Sequence, residues 1–187
     1  MIRAFIAITP PTTLQQTIAE VRQVFERLSL PWRWVTPDHI HLTLRFLGNV
    51  PEESVPSLHQ AMEEAAQGQT VFPLRARALG CFPHPARPRV LWVGLDDFSQ
   101  ALGRLNERLM TALTPLGFPP EDRPFHPHLT LARAQNRMPS NQLLSILKTY
   151  QNMNFDEFLV TRIHLVQSYH HRGGSLYTIL RSVTLHS

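Results

Sequence analysis

Apolar residues recur along this chain at two spacings, every second residue in some stretches and every three to four in others. Ile2 to Ile8 reads as a strand. Leu14, Ile18, Val21, Phe25 and Leu28 then fall on one helical stripe, opened by Pro10 and Pro11 and closed by Pro31. Trp32, Trp34 and Val35 are extended, and Thr36-Pro37-Asp38 signals a turn. His39 to Leu47 alternates as a strand. Pro51 opens a helix that turns Val55, Leu58 and Met62 inward, and Val71 to Leu79 is again a strand. The order then recurs. Arg89 to Leu95 predicts a strand, and Ser99 caps a helix carrying Leu102, Leu105, Leu109 and Leu113 on one face. Leu116 to Pro127, with four prolines, is a loop. His128 to Arg133 is a strand, Ser140 caps a helix with Leu143, Leu144 and Leu147, and Phe158 to Gln167 is a strand. A last strand, Leu176 to Thr184, follows the Gly173-Gly174 turn.

Each half thus reads strand, helix, strand, helix, strand. His41-Leu42-Thr43-Leu44 in the first half returns as His128-Leu129-Thr130-Leu131 in the second, and the same shift carries Phe5 onto Trp92. A period shared by several elements indicates internal duplication. The expected fold is α+β: two pseudo-symmetric lobes, each an antiparallel sheet with outer helices, around a central cleft. Residues 1–187 form a single bilobal domain, with repeats at 1–80 and 88–167 and a final strand at 175–184. The linker is expected between Gly80 and Pro88, and sequence order leaves open whether a strand is exchanged between lobes.

With 187 residues, 43% of them hydrophobic and 17% charged, the chain can bury a core, which argues against a disordered or acidic tail. It has no apolar run of membrane-spanning length and no signal-peptide pattern at its start. Cys81 is the only cysteine, so no disulfide framework is expected and the thiol is read as inert. A cytoplasmic monomer is the default expectation. Charge changes the picture more. Lys148 is the only lysine among 18 basic residues, and there are 10 histidines. Guanidinium forks suit phosphate, although a net charge of +4 does not announce nucleic acid by itself.

The chemistry sits in the repeat. Chance supplies only about 0.1 His-x-Thr-Leu motif in a chain of this composition. Strand alternation puts His41 and Thr43 on one face, with Leu42 and Leu44 on the other, and does the same for His128 and Thr130. A twofold relation would set two imidazoles and two hydroxyls around one small group, the layout for general acid–base work on a phosphodiester. His39 and His126 precede the motif histidines by two, so four imidazoles on zinc is the competing reading. Strand-entry residues are the plainer reading for both. Arg45 shares the His41 face by alternation and either reaches the substrate or is solvated. Among Trp32, Trp34, Phe46, Phe82, Trp92 and Phe125, most are expected in the core, with one or two free to stack on a base. Arg75, Arg77, Arg87, Arg89, Arg137 and Arg172 are candidates for a basic rim, each balanced by a solvated reading.

The paired motifs, with Arg3 to Ile8, Trp34-Val35, Arg45 to Gly48, Gly80-Cys81-Phe82-Pro83, Pro88 to Trp92, Pro127 to Arg133, Ser168 and Gly174 to Tyr177, span nearly the whole chain. Together they resemble the 2H phosphoesterase superfamily. The nearest branch is the RNA 2′,3′-cyclic phosphodiesterases, also called 2′-5′ RNA ligases. The resemblance implies a metal-independent opening of 2′,3′-cyclic phosphate ends on RNA to 2′-phosphomonoesters, with no cofactor and with 2′-5′ ligation as a side reaction. It implies that His41 is the proton donor and His128 the proton acceptor. Thr43, Thr130 and Arg133 would bind the phosphate. Strict alternation would turn Arg133 away from His128, so a bulge or an early strand end is required. The partner implied is an RNA end bearing the cyclic phosphate; tRNA fragments and repair intermediates are two sources the chain does not choose between. The alternatives are an RNA-end-binding module without turnover and a phosphodiesterase acting on other cyclic nucleotides or 2′-5′ oligonucleotides.

Overall fold

In a computed structural model of the protein, described over residues 1–26, 31–85, 87–136, 140–171 and 174–186, the apolar stripes converge on one face of a curled antiparallel sheet. The strands are β1 (Ile2–Ile8), β2 (Trp32–Trp34), β3 (Leu42–Val50), β4 (Phe72–Phe82), β5 (Val90–Asp96), β6 (His128–Ala134), β7 (Asn154–Val160), β8 (Arg162–His171) and β9 (Gly174–Thr184). The helices are α1 (Thr12–Glu26), α2 (Val55–Ala66), α3 (Ala101–Leu113) and α4 (Ser140–Tyr150). Leu14, Ile18, Val21 and Phe25 of α1 and Leu102, Leu105, Leu109 and Leu113 of α3 are buried in the same cluster as Ile6, Leu42, Leu91 and Leu129 of the sheet. Leu28 lies outside the described residues. No helix among the described residues is long and apolar enough to cross a membrane.

The strand order is β7-β4-β5-β6-β3-β1-β8-β9, with β2 alongside β6. It reads the same from either end under the exchanges β6 for β3, β5 for β1, β4 for β8 and β7 for β9. The two expected sheets are joined into one where Leu42 of β3 meets Leu129 of β6. The last strand of each half is exchanged: β4 lies between β5 and β7, and β8 lies between β1 and β9.

Three local expectations are corrected. The stretch Phe158 to Gln167 is not one strand. The chain breaks at Thr161, so that β7 pairs with β4 and β8 with β1. No Gly or Pro marks the break, because the chain passes between sheet positions without a tight turn. The linker is shorter than Gly80 to Pro88, because Gly80 to Phe82 still pair with β5 and Arg89 donates its N–H to the Phe82 carbonyl at 2.7 Å. The cap of α3 is not Ser99 alone. Ser99 Oγ accepts the Ala101 N–H at 3.3 Å, but one Asp97 carboxylate oxygen also accepts the Ala101 N–H at 3.1 Å and the other reaches the Gly103 N–H at 3.1 Å, and Ser99 donates to the same carboxylate at 3.0 Å. The side chain of Ser140, the expected cap of α4, is outside the described residues.

Candidate active site

The sheet has a second face, opposite the helices, and both motifs open onto it. Leu42, Leu44, Leu129 and Leu131 are buried in the main core, while His41, Thr43, His128 and Thr130 are half-buried on the other side. A separate cluster of Phe5, Ala7 and Val166, with Tyr177 packed on it, lies on this open face. The register that sets Leu42 against Leu129 lays His41 beside Thr130 and Thr43 beside His128. The two motif pairs therefore meet at the centre of the sheet.

Each motif contains a bulge at its fourth residue. Across β1 and β3, Thr43 faces Ala7 but Arg45 faces Ile6, which leaves Leu44 without a partner. Across β5 and β6, Thr130 faces Trp92 but Ala132 faces Leu91, which leaves Leu131 without one. An extra residue reverses the inside–outside alternation that follows it. The bulge accordingly brings Arg133, opposite Val90, to the face of His128 and Thr130, as its expected role requires. It turns Arg45 away from the His41 face, which corrects the expectation from strict alternation. Arg45 is buried on the core side, pairs with Glu121 at 2.9 Å and donates to the Pro119 carbonyl, tying the loop before the second motif to β3. The residue that takes the open-face position in β3 is Phe46, 59% exposed and 6.0 Å from Phe5. Composition expects most of the six aromatic candidates in the core and does not single out Phe46. The signal that does is the repeat itself, since Phe46 stands five residues after His41 just as Arg133 stands five after His128.

The two imidazoles are held alike. His41 Nδ1 lies 2.7 Å from the His39 carbonyl oxygen, and His128 Nδ1 lies 2.7 Å from the His126 carbonyl oxygen. A carbonyl only accepts, so each Nδ1 carries the proton and each Nε2 is left for chemistry. His39 and His126 thus serve through their backbone oxygens. Among the described residues no three His, Cys, Asp or Glu side chains are grouped so as to hold a metal ion. His41 stacks on Phe5 at 4.8 Å and meets the edge of Tyr177 at 5.3 Å. His128 meets Phe82 edge-on at 5.0 Å with Trp92 at 6.3 Å. These rings desolvate the imidazoles. Burial is the main cause that draws His41 from 6.5 down to about 4, aided by the charges of His39, Arg133 and His128. Burial and then Arg133 lower His128 as well. Cys81 is buried and its thiol is pushed up to about 11, as suits an inert side chain.

Of the rim arginines, Arg75 and Arg77 are engaged with Glu157 at 3.2 Å and Asp96 at 3.6 Å. Arg87 and Arg89 are exposed. Arg137 and Arg172 lie outside the described residues.

Two tethered imidazoles, two hydroxyls and an arginine on one face of a curled sheet define a two-histidine phosphoesterase arrangement. Residues 10–172 match the model of the 2′-5′ RNA ligase superfamily, and the chain belongs to that family. It is 32% identical over 166 residues, 89% of this chain and 93% of the other, to a protein of Aeropyrum pernix named RNA 2′,3′-cyclic phosphodiesterase. A Thermus thermophilus protein of known crystal structure superposes with a TM-score of 0.82 at 30% identity, covering 98% of this chain and 97% of that one. The LigT protein of E. coli, crystallised in complex with 3′-AMP, superposes with a TM-score of 0.75 at 29% identity, covering 98% of each chain.

Proposed function

We propose that the protein hydrolyses terminal 2′,3′-cyclic phosphates of RNA to 2′-phosphomonoesters by acid–base catalysis between His41 and His128, without a metal. The observation that carries this reading is the matched pair of imidazoles, each with Nδ1 held by its own backbone and Nε2 free on the open face. Water attacks phosphorus as His128 Nε2 takes its proton. The bond from phosphorus to the 3′-oxygen breaks, and protonated His41 gives that oxygen the Nε2 proton. Solvent exchange then returns both rings to their starting states. Thr43 and Thr130 donate to the nonbridging oxygens, and Arg133 offsets their charge. The acid and base roles follow the family resemblance, since a near-symmetric pair does not order itself. Burial draws His41 down to about 4 in the free protein. Its role as donor therefore depends on the bound phosphodiester anion, which favours the imidazolium. A 5′-hydroxyl of RNA in place of water would run the same proton transfers in the same direction, His128 taking the hydroxyl proton and His41 protonating the departing 3′-oxygen, and leave a 2′-5′ linkage.

The test is turnover of an oligoribonucleotide with a 2′,3′-cyclic end, in EDTA, with the product compared with authentic 2′-phosphate and 3′-phosphate standards by chromatography and phosphorus NMR. A 2′-phosphate formed at an undiminished rate is expected. Loss of turnover on chelation would end the metal-free mechanism, and a 3′-phosphate would reverse the assignment of leaving oxygen and proton donor.

A further inference from the structure

Strand β2 is three residues long and pairs with β6 beyond its bulge, setting Trp32 against Ala134, Arg33 against Arg133 and Trp34 against Ala132. Trp32 is buried in the main core and Trp34 packs on it. Alternation then sends Arg33, which is exposed, to the open face that carries Arg133. Directly opposed side chains of an antiparallel pair have Cβ atoms about 4.5–5.5 Å apart, and like charges there repel. Among the described residues no carboxylate pairs with either guanidinium, whereas Arg45, Arg75 and Arg77 each have an acidic partner. Two unneutralised guanidiniums, fixed side by side at the edge of the two-histidine site, suit an anion with several acceptor oxygens.

The pair is also one-sided. The repeat shift that carries His41 to His128 carries Phe46 to Arg133 and Arg33 to Pro120, so the twofold-related end of the site has a phenyl ring and a proline instead of two arginines. Along the open face the order is Arg33 beside Arg133, then His41 with Thr130, then Thr43 with His128, then Phe46. A cyclic phosphate at the histidines, met by Arg133, leaves Arg33 beside it on the basic side for a second phosphate. We propose that Arg33 binds the backbone phosphodiester on the 5′ side of the terminal nucleotide, making the protein selective for oligonucleotide ends over free nucleoside 2′,3′-cyclic phosphates. This rests on the cyclic-phosphate reading above and assigns the direction in which the RNA leaves the site.

The experiment compares KM and kcat of the native protein, Arg33→Gln and Arg33→Lys on a 2′,3′-cyclic-ended oligoribonucleotide and on the matching nucleoside 2′,3′-cyclic monophosphate, across a salt series. Arg33→Gln is expected to raise KM for the oligonucleotide about tenfold more than for the mononucleotide, the effect of one charge-assisted contact. Its log KM should also depend on log salt with a slope shallower by about 0.7, one phosphate contact on a single strand. Arg33→Lys should restore part of both effects. The melting temperature of Arg33→Gln should not fall, because a like-charge contact is removed, so a folding defect would be recognised. An equal change on both substrates, or none on either, overturns the proposal. Anisotropy binding of a fluorescein-labelled oligonucleotide with a 2′-phosphate end reads the same contact without turnover. If the native protein turned over neither substrate, the cyclic phosphodiesterase reading would fail, while unaltered binding by Arg33→Gln would overturn this proposal alone.

Discussion

One nitrogen of each motif histidine is occupied by the chain's own backbone and the other faces the open side of the sheet. The tether removes the tautomer in which Nε2 carries the only proton, so a neutral ring is ready as a base and a protonated ring as an acid. Both rings are held below the ordinary histidine value by burial, His41 at about 4. In the free protein the state with one proton on the pair is thus most populated on the acid side of 6.5, and both rings are neutral well above it. A bound phosphodiester anion raises both proton affinities. The expected outcome is a kcat/KM profile with its maximum below pH 6.5 and a kcat profile displaced upward from it, measured on one oligonucleotide from pH 4 to 9. Coincident profiles would show that the anion does not hold the proton. At this scale the sequence made the histidines and threonines legible through their repetition. Arg45 and Phe46 were misread by strict alternation, because their facing depends on a bulge in the first motif that only its repeat partner, where the role implied for Arg133 requires one, hints at.

Among the elements, the two bulged strands and their aromatic neighbours do the positioning. Trp92 sits between Gly80 of β4 and Thr130 of β6 and lies near His128. A Cβ on Gly80 would run into the Trp92 ring. Gly80 is therefore required for close approach, to let an indole lie flat where any side chain would lift it. Gly80→Ala is expected to cost roughly 1–3 kcal/mol of stability. It should also shift the His128 ring signals in a proton–nitrogen correlation spectrum, while those of His41 hold their place. Equal movement of both rings would mean that Trp92 is not a support specific to the second motif. The helices were legible because stripes such as Leu102, Leu105, Leu109 and Leu113 are local and periodic. The break at Thr161 was not, since both sides of it are equally β-forming and only their distant partners tell them apart.

For the whole molecule, the exchanged strands matter most. We propose that residues 1–187 behave as one cooperative unit, even though the repeat at 1–80 and 88–167 suggests two. β4 leaves the first half to pair with β5 and β7, and β8 leaves the second to pair with β1 and β9, so neither half holds its own sheet. A single calorimetric transition is expected, and a fragment ending before β5 should not fold; a folded fragment by circular dichroism and amide dispersion would contradict this. The seam is narrow. Leu129, fully buried, meets Leu42 where β3 joins β6. Leu129→Ala is expected to destabilise the protein by about 2–5 kcal/mol. It should also lower kcat by more than it raises KM, since the mutual placement of the two imidazoles hangs on that contact.

What the sequence determined by itself was whatever is carried by spacing along the chain: the helical stripes, the alternating strands, and a duplicated histidine and threonine pair whose repetition pointed to a phosphodiester. Those signals survive because each is written within a few residues and needs no partner to be read. The tertiary structure decided which strands exchange between halves. It decided that the bulges at Leu44 and Leu131 bring Phe46 and Arg133 to the open face, and that Arg33 stands against Arg133. It also decided which nitrogen of each histidine is free. The strand exchange, the facing of Phe46 and Arg133 and the placement of Arg33 depend on hydrogen bonds between residues far apart in the chain or on a one-residue slip in register, and the histidine tether, two residues long, on the backbone conformation between its ends. Such a slip reverses every side chain beyond it while leaving the local pattern of apolar and polar residues unchanged.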